Sequence, residues 1–180
     1  HDPRVEPTPL ADPGDVAVLA HPVAHAPLAR AFALRGASVV TVGDDFDDSA
    51  ALLELAPTFE ARGASLVVGA AMSPGLSGLL ARHLADQLAS VDEIHVAIHG
   101  TAGPACARDH HRSLSRRSHG WHDGGWVDYL GGSGRELCWF PEPVGAKDCY
   151  RADSAVPLLL HAAFPDVARI TARRSARRRD

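Results

Sequence analysis

The sequence predicts an α/β chain in two parts: a partial parallel sheet flanked by helices over residues 1–90, then a mixed or antiparallel α+β domain over residues 91–180. Three observations carry this. Short apolar runs alternate three times with helical patterns through short connections, which is the grammar of a parallel sheet. After Ser90 the runs change to apolar–polar alternation, and long helices cease to separate them. At 180 residues, with 46% apolar and 22% charged residues, the chain is able to bury a core without disulfide or metal staples.

The opening HDPRVEPTPLADPG carries four prolines and no periodicity, and reads as a loop. DVAVLA (15–20) is a short β-branched run suited to a strand buried on both faces. HPVAHAPLARAFALRG follows with Leu28, Ala31, Phe32 and Arg35 at helical spacing and Gly36 as the stop. ASVVTV (37–42) is a second buried strand. DDFDDSAALLELAPTFEARG sets acidic residues at a helix start, where the dipole favours them, and ends at Gly63. ASLVVGAA (64–71) is the third strand, and SPGLSGLLARHLADQLAS (73–90) a helix with Ser73 as N-cap and Pro74 at the first helical position.

VDEIHVAIHG (91–100) alternates as a strand with one exposed side should. Gly100, Gly103 and Pro104 then make a turn that starts a helix over 104–117. A Gly/Trp-rich stretch from His119 to Gly134 leads to strands near 136–140, 147–152 and 167–173. Trp121, Trp126 and Trp139 close the core or a substrate pocket, and the core is the first expectation. The tail ARRSARRRD (172–180) reads as a charged, fraying end or the stub of a helix.

The net charge of −4 argues against a nucleic-acid partner, and the basic residues are almost all arginine, Lys147 being the only lysine. Three widely spaced cysteines, Cys106, Cys138 and Cys149, point to reduced thiols in a cytoplasm. No apolar run approaches the roughly 18 residues that cross a bilayer. Nucleic acid and membrane are therefore not expected as partners, and a homodimer is left open.

Ligands of parallel sheets gather at the carboxyl ends of the strands. Here those ends are His21-Pro22, Gly43-Asp44-Asp45 and Gly69-Ala70-Ala71. Pro74 fixes φ in the next turn and Gly75 lets a backbone approach a ligand closely, although a plain helix start has the same composition. Asp44 and Asp45 serve such a site or cap the following helix. Farther on, Cys106 and His110 share a helix face at i, i+4 and supply half a zinc site, with Cys138, Cys149, His95 or His99 to complete it. With no C-x-x-C and no H-E-x-x-H, no metal is assigned.

DVAVLAHP, with AHAPLARAFALRGASVVTVGDD and then GASLVVGAAMSPGLSGLLARHLA, resembles the later half of the Rossmann-like NAD(P)-binding domain of the saccharopine dehydrogenase-like family. EIHVAIHGTAGPACARDHH and GSGRELCWFPEPVGAKDCYRAD resemble the start of the second domain in that family. The resemblance implies an NAD(P)-dependent oxidoreductase acting on a C–N bond of a small-molecule, amino-acid-like substrate. It implies cofactor contacts at His21, Pro22, Gly43, Asp44, Gly69, Ala70, Pro74 and Gly75, facing the loop 100–111 across a cleft. Such chemistry needs a general acid/base, here His110 or His111, and a cation for a substrate carboxylate, here Arg108 or Arg135. The Gly-rich G-x-G-x-x-G turn of the family is absent, so the first strand is read as the fourth of a longer fold. NAD(P) binding by these residues alone is then expected to be weak or absent. Two other classes stay open: a zinc-stabilised, non-catalytic module on Cys106 and His110, and a degenerate relative serving only as an interaction domain.

Overall fold

The computed structural model describes residues 11–100 and 103–176. The proline-rich segment up to Leu10, Thr101 and Ala102 of the loop 100–111, and the tail residues Arg177 to Asp180 lie outside the described residues. The chain divides into two compact units between Leu76 and Ser77.

The first unit runs β1 (Val16–Leu19), α1 (Ala26–Leu34), β2 (Ser38–Thr41), α2 (Phe46–Leu53), α3 (Ala56–Glu60) and β3 (Leu66–Val67). Its three strands are parallel in the order β1-β2-β3. Both crossovers step in the same direction, so right-handed connection puts all three helices on one face. The core forms there, from Leu19, Ala29, Ala33, Val39, Leu52, Leu55 and Phe59. The strands alternate, so the opposite face carries Val16, Val18 and Val67, which are 65%, 64% and 48% exposed. That corrects the expectation of a strand buried on both faces: Ala17 and Leu19 face the helices while the valines between them do not.

The helix expected between Asp44 and Gly63 is two helices. Pro57, at the start of α3, has no N–H for a continuous ladder, and the chain restarts there. The third strand keeps only two residues, because the backbone turns away at Gly69, with φ of +75°. Pro74 is not the first residue of a helix. It lies in a closed turn where Ala71 N–H donates to Pro74 C=O (3.0 Å) and Leu76 N–H to Ala71 C=O (2.9 Å).

α4 (Leu76–Ala85) follows, then β4 (Glu93–Ile98), α5 (Pro104–Ser113), β5 (Arg117–His122), β6 (Gly125–Leu130), β7 (Glu136–Phe140), β8 (Gly145–Arg151), α6 (Val156–Ala163) and β9 (Arg169–Ser175). In this second unit β6-β5-β9-β8-β7 form an antiparallel path, and β4 joins β9 in parallel. β9 is thus the central strand. Ile170 and Ala172 enter a core with Ile94, Val156, Leu160, Phe164 and Val167. Ala81 and Ala85 of α4 pack on the same core, and the Arg82 guanidinium lies 4.1 Å from the Phe164 ring centroid.

Three expectations for this half change. The Gly/Trp-rich stretch is a hairpin, β5–β6, turned by Asp123 and Gly124 with φ of +46° and +88°, and Trp121 sits opposite Trp126. Residues 172–175 of the tail complete β9, since Ala172 and Ser175 are buried and Arg173 between them pairs with Glu136 and reaches the Gly134 carbonyl. Only Trp121 joins the core, stacked on His161 at 3.8 Å. Trp126 and Trp139 are 40% and 78% exposed, the latter on the edge strand β7. Among the described residues no helix is long and apolar enough to cross a membrane.

Candidate functional site

In the first unit the chemistry-bearing residues collect at the carboxyl ends of β1 and β2. Asp45 is the N-cap of α2, its carboxylate accepting from Asp48 N–H at 2.9 Å. Asp48 reaches back to the start of α1. Its two oxygens accept from His25 N–H (2.8 Å) and Ala26 N–H (3.0 Å). The amides that make a helix start an anion site are therefore engaged by an internal carboxylate.

His25 is buried, and its Nε2–H donates to His21 C=O at 3.0 Å. Its Nδ1 has no partner and faces Gly43, where an added Cβ would stand 3.2 Å away. The His21 ring meets His25 edge-on at 4.8 Å. Burial, and then the neighbouring His25, hold His21 below the ordinary imidazole range, against the pull of Asp48. A neutral ring whose Nε2 is buried without a partner suits an uncharged hydroxyl or amide rather than a phosphate.

Gly75 has φ of +133°, and a Cβ there would overlap Ala71 O and stand 2.6 Å from Gly69 O. The close approach that requires glycine at 75, and the tighter packing at 43, are thus made by the chain's own atoms. Ala70 N–H donates to Thr41 C=O at 2.7 Å, which ties the third turn to β2. Pro22 is exposed and Asp44 half-buried.

The second unit separates the four residues proposed for catalysis. Arg108 and His111 are exposed on α5. His110 is buried, and its Nε2–H donates to Ser175 C=O at 2.8 Å. Burial first, then the Arg174 charge, keep its pKa below the usual imidazole value. Arg135 is paired with Asp148 at 2.9 Å. Cys106 is exposed while His110 is buried, and among the described residues no three His, Cys, Asp or Glu groups are placed to hold a metal ion. The zinc-module reading therefore finds no ligand set.

The face of the second sheet turned away from its core carries a constellation that spacing alone does not reveal. His95 of β4 stands opposite Thr171 of β9, with Nδ1 2.8 Å from the threonine Oγ1. Its Nε2 lies 2.7 Å from Glu93 Oε2. Glu93 also receives Arg169 at 3.2 Å, and its pKa is lowered, chiefly by the hydrogen bond from His95. Arg173 donates to Thr171 Oγ1 at 3.0 Å and pairs with Glu136 at 2.8 Å. With Nε2–H given to the carboxylate, a neutral His95 accepts the Thr171 hydroxyl proton at Nδ1. A protonated ring donates there instead, and the hydroxyl, able to do both, keeps the contact. A carboxylate-anchored imidazole of this kind is the usual framework of a proton carrier. Glu93 and His95 were visible as polar neighbours in an alternating strand, but Thr171 lies 76 residues from His95, and only the β4–β9 register joins them.

No family model matches the sequence, and no curated protein matches it. Among solved structures the chain is similar to the apo form of saccharopine dehydrogenase (L-Glu forming) from Saccharomyces cerevisiae, with a TM-score of 0.57 and 18% sequence identity. The match covers 89% of this chain and 40% of that one, so the chain spans well under half the length of the protein it resembles. The likeness takes in both units and establishes the fold.

Proposed function

We propose that this chain carries part of an NAD(P)-dependent oxidoreductase of the saccharopine dehydrogenase type, acting on a carbon that bears an amine or imine in an amino-acid-like substrate. The observation that carries the reading is the extent of the structural likeness, which covers 89% of the chain. When bound, the nicotinamide supplies the hydride chemistry, and the protein's part is to orient and to move protons.

Within that reading the neutral His21 ring at the end of β1 is suited to the uncharged nicotinamide or ribose end of the cofactor. Pro22, Gly43, Asp44, Gly69, Ala70, Pro74 and Gly75 shape the turns around it. Asp48 at the start of α1 disfavours a pyrophosphate in the same place. For proton transfer the best-supported group is His95, oriented by Glu93 and Thr171. His111 is a second carrier and Arg108 the cation for a substrate carboxylate, both being exposed. His110 and Arg135 already hold structural contacts.

Titration with NADH and NADPH, followed by nicotinamide fluorescence and by saturation-transfer NMR, tests this. Weak binding with transfer confined to nicotinamide and ribose protons is the expected result. No transfer to any cofactor proton would sink the assignment of the first unit. Micromolar binding, or transfer to the adenine, would show a phosphate site that the Asp48 argument denies.

A further inference from the structure

The β7–β8 hairpin places two thiols together in a way that the proposed oxidoreductase chemistry does not use. Glu136 stands opposite Cys149, and Cys138 opposite Lys147. Residues two apart on a strand share a face, so Cys138 and Cys149 lie on one side of the hairpin as diagonal neighbours. The Cys138 thiol donates to the carbonyl of Glu136, 3.9 Å away, and Glu136 is the residue paired with Cys149. Cys149 is fully buried and Cys138 partly exposed, so the pair has one sulfur that solvent reaches and one that it does not. The third cysteine, Cys106, is exposed on α5, outside this hairpin.

We infer that Cys138 and Cys149 form a dithiol site which a peroxide oxidises reversibly to an intramolecular disulfide. In the first step the Cys138 thiolate attacks one peroxide oxygen. The O–O bond breaks, the other oxygen leaves as hydroxide and takes a proton to become water, and Cys138 becomes a sulfenic acid. In the second step the Cys149 sulfur attacks the Cys138 sulfur and displaces the hydroxyl, which leaves as water with the Cys149 proton. The two sulfurs together lose two electrons, and the peroxide gains them.

Solvent access decides the order. Burial, and then the neighbouring Cys138 thiol, push the Cys149 thiol up to about 12, so it serves as the resolving group rather than the first nucleophile. Diagonal partners start farther apart than disulfide geometry accepts, roughly 7–8 Å between Cα atoms against an upper limit near 6.8 Å. Closure therefore needs β7 to move, and as the edge strand β7 is paired on one side only, to β8. A bond formed under such strain is readily reduced again.

The test uses the reduced 180-residue chain carrying Cys106→Ser, which removes the exposed competitor. Hydrogen peroxide is added and quenched, free thiols are counted after denaturation, and peptides are mapped. The expected result is loss of both remaining thiols, a Cys138–Cys149 cross-linked peptide, and recovery of both thiols with dithiothreitol. Three outcomes overturn the proposal: a sulfinic acid on Cys138 with Cys149 still free, a disulfide-linked dimer, or no loss of thiols under conditions that oxidise glutathione. The tryptophan emission spectrum before oxidation, compared with that of the unsubstituted chain, verifies that the variant is folded.

Discussion

Truncating His110 to alanine is expected to destabilise the second unit, while the same change at His111 leaves it almost unaffected. The His110 ring is 6% exposed, and its Nε2–H answers the Ser175 carbonyl in the central strand. Removing it forfeits a net hydrogen bond, leaves a buried carbonyl unpaired and opens a small void, together about 2–4 kcal/mol. His111 is exposed, and its loss costs within about 0.5 kcal/mol. With a urea slope of about 2 kcal/mol/M, the His110→Ala midpoint falls by about 1–2 M. Trp121, Trp126 and Trp139 all lie in the same unit as His110, so urea melts followed by tryptophan emission report on it directly. The pH dependence gives a second readout. His110 has a lowered pKa in the folded chain, so below the unfolded value of 6.5 the unfolded state binds more protons, and stability falls as pH drops through that range. In His110→Gln, whose amide still donates to Ser175, that component of the slope should vanish. Equal destabilisation by both alanine variants, or an unchanged slope in His110→Gln, would refute the placement of the ring.

Two further perturbations address the first unit, which has no tryptophan and is followed by far-UV circular dichroism. Gly75→Ala forces a Cβ into the backbone of residues 69–71 at φ of +133°, and is expected to cost about 3 kcal/mol or more. Gly63→Ala, at φ of +62° with no atom within 4 Å, should cost only about 1 kcal/mol, and equal melting of the two would contradict the crowding at Gly75. Asp48→Ala orphans two amides at the start of α1 and should cost about 1–3 kcal/mol. Asp48→Asn, with one carbonyl oxygen left, should fall between, and an asparagine variant no better than alanine would speak against capping.

What was legible in the sequence followed from periodicity. The β1-α1-β2 order and the strand positions of β4, β7 and β8 came from apolar runs whose repeat matches their structure. What was not legible had its pattern erased by context. α6, VPLLLHAA, is apolar on nearly every side and too short for a helical period to show. The β5–β6 hairpin hid its Asp123-Gly124 turn among other glycines. β9 was legible as a strand near 167–173, but its last residues looked like a loose basic end, because Arg173 answers a carboxylate on another strand, Glu136. The candidate site divides in the same way. His21 and the strand ends could be placed by topology alone, whereas the His95–Thr171 contact depends on a register that nothing local specifies.

The glycines make the same point about ligands. A glycine in a turn signals that some atom comes close or that φ is positive, but it does not say whose atom comes close. At Gly43 it is the His25 ring, and at Gly75 it is the carbonyl of Ala71. Gly75 would be required with no cofactor present, and Gly43 is crowded by a ring of the chain itself, so neither adds weight to a cofactor site. Asp48 pushes further in that direction, since it answers the amides that a phosphate would need. His21 Nε2 is different: it is a buried polar atom at a strand end that no group among the described residues satisfies. Leaving such an atom unpaired costs about 1–3 kcal/mol, a cost a ligand group can relieve and the glycines' contacts cannot. Of the residues named for cofactor contact, His21 is therefore the one whose surroundings ask for an outside partner, and it is the position at which cofactor contact should first be sought.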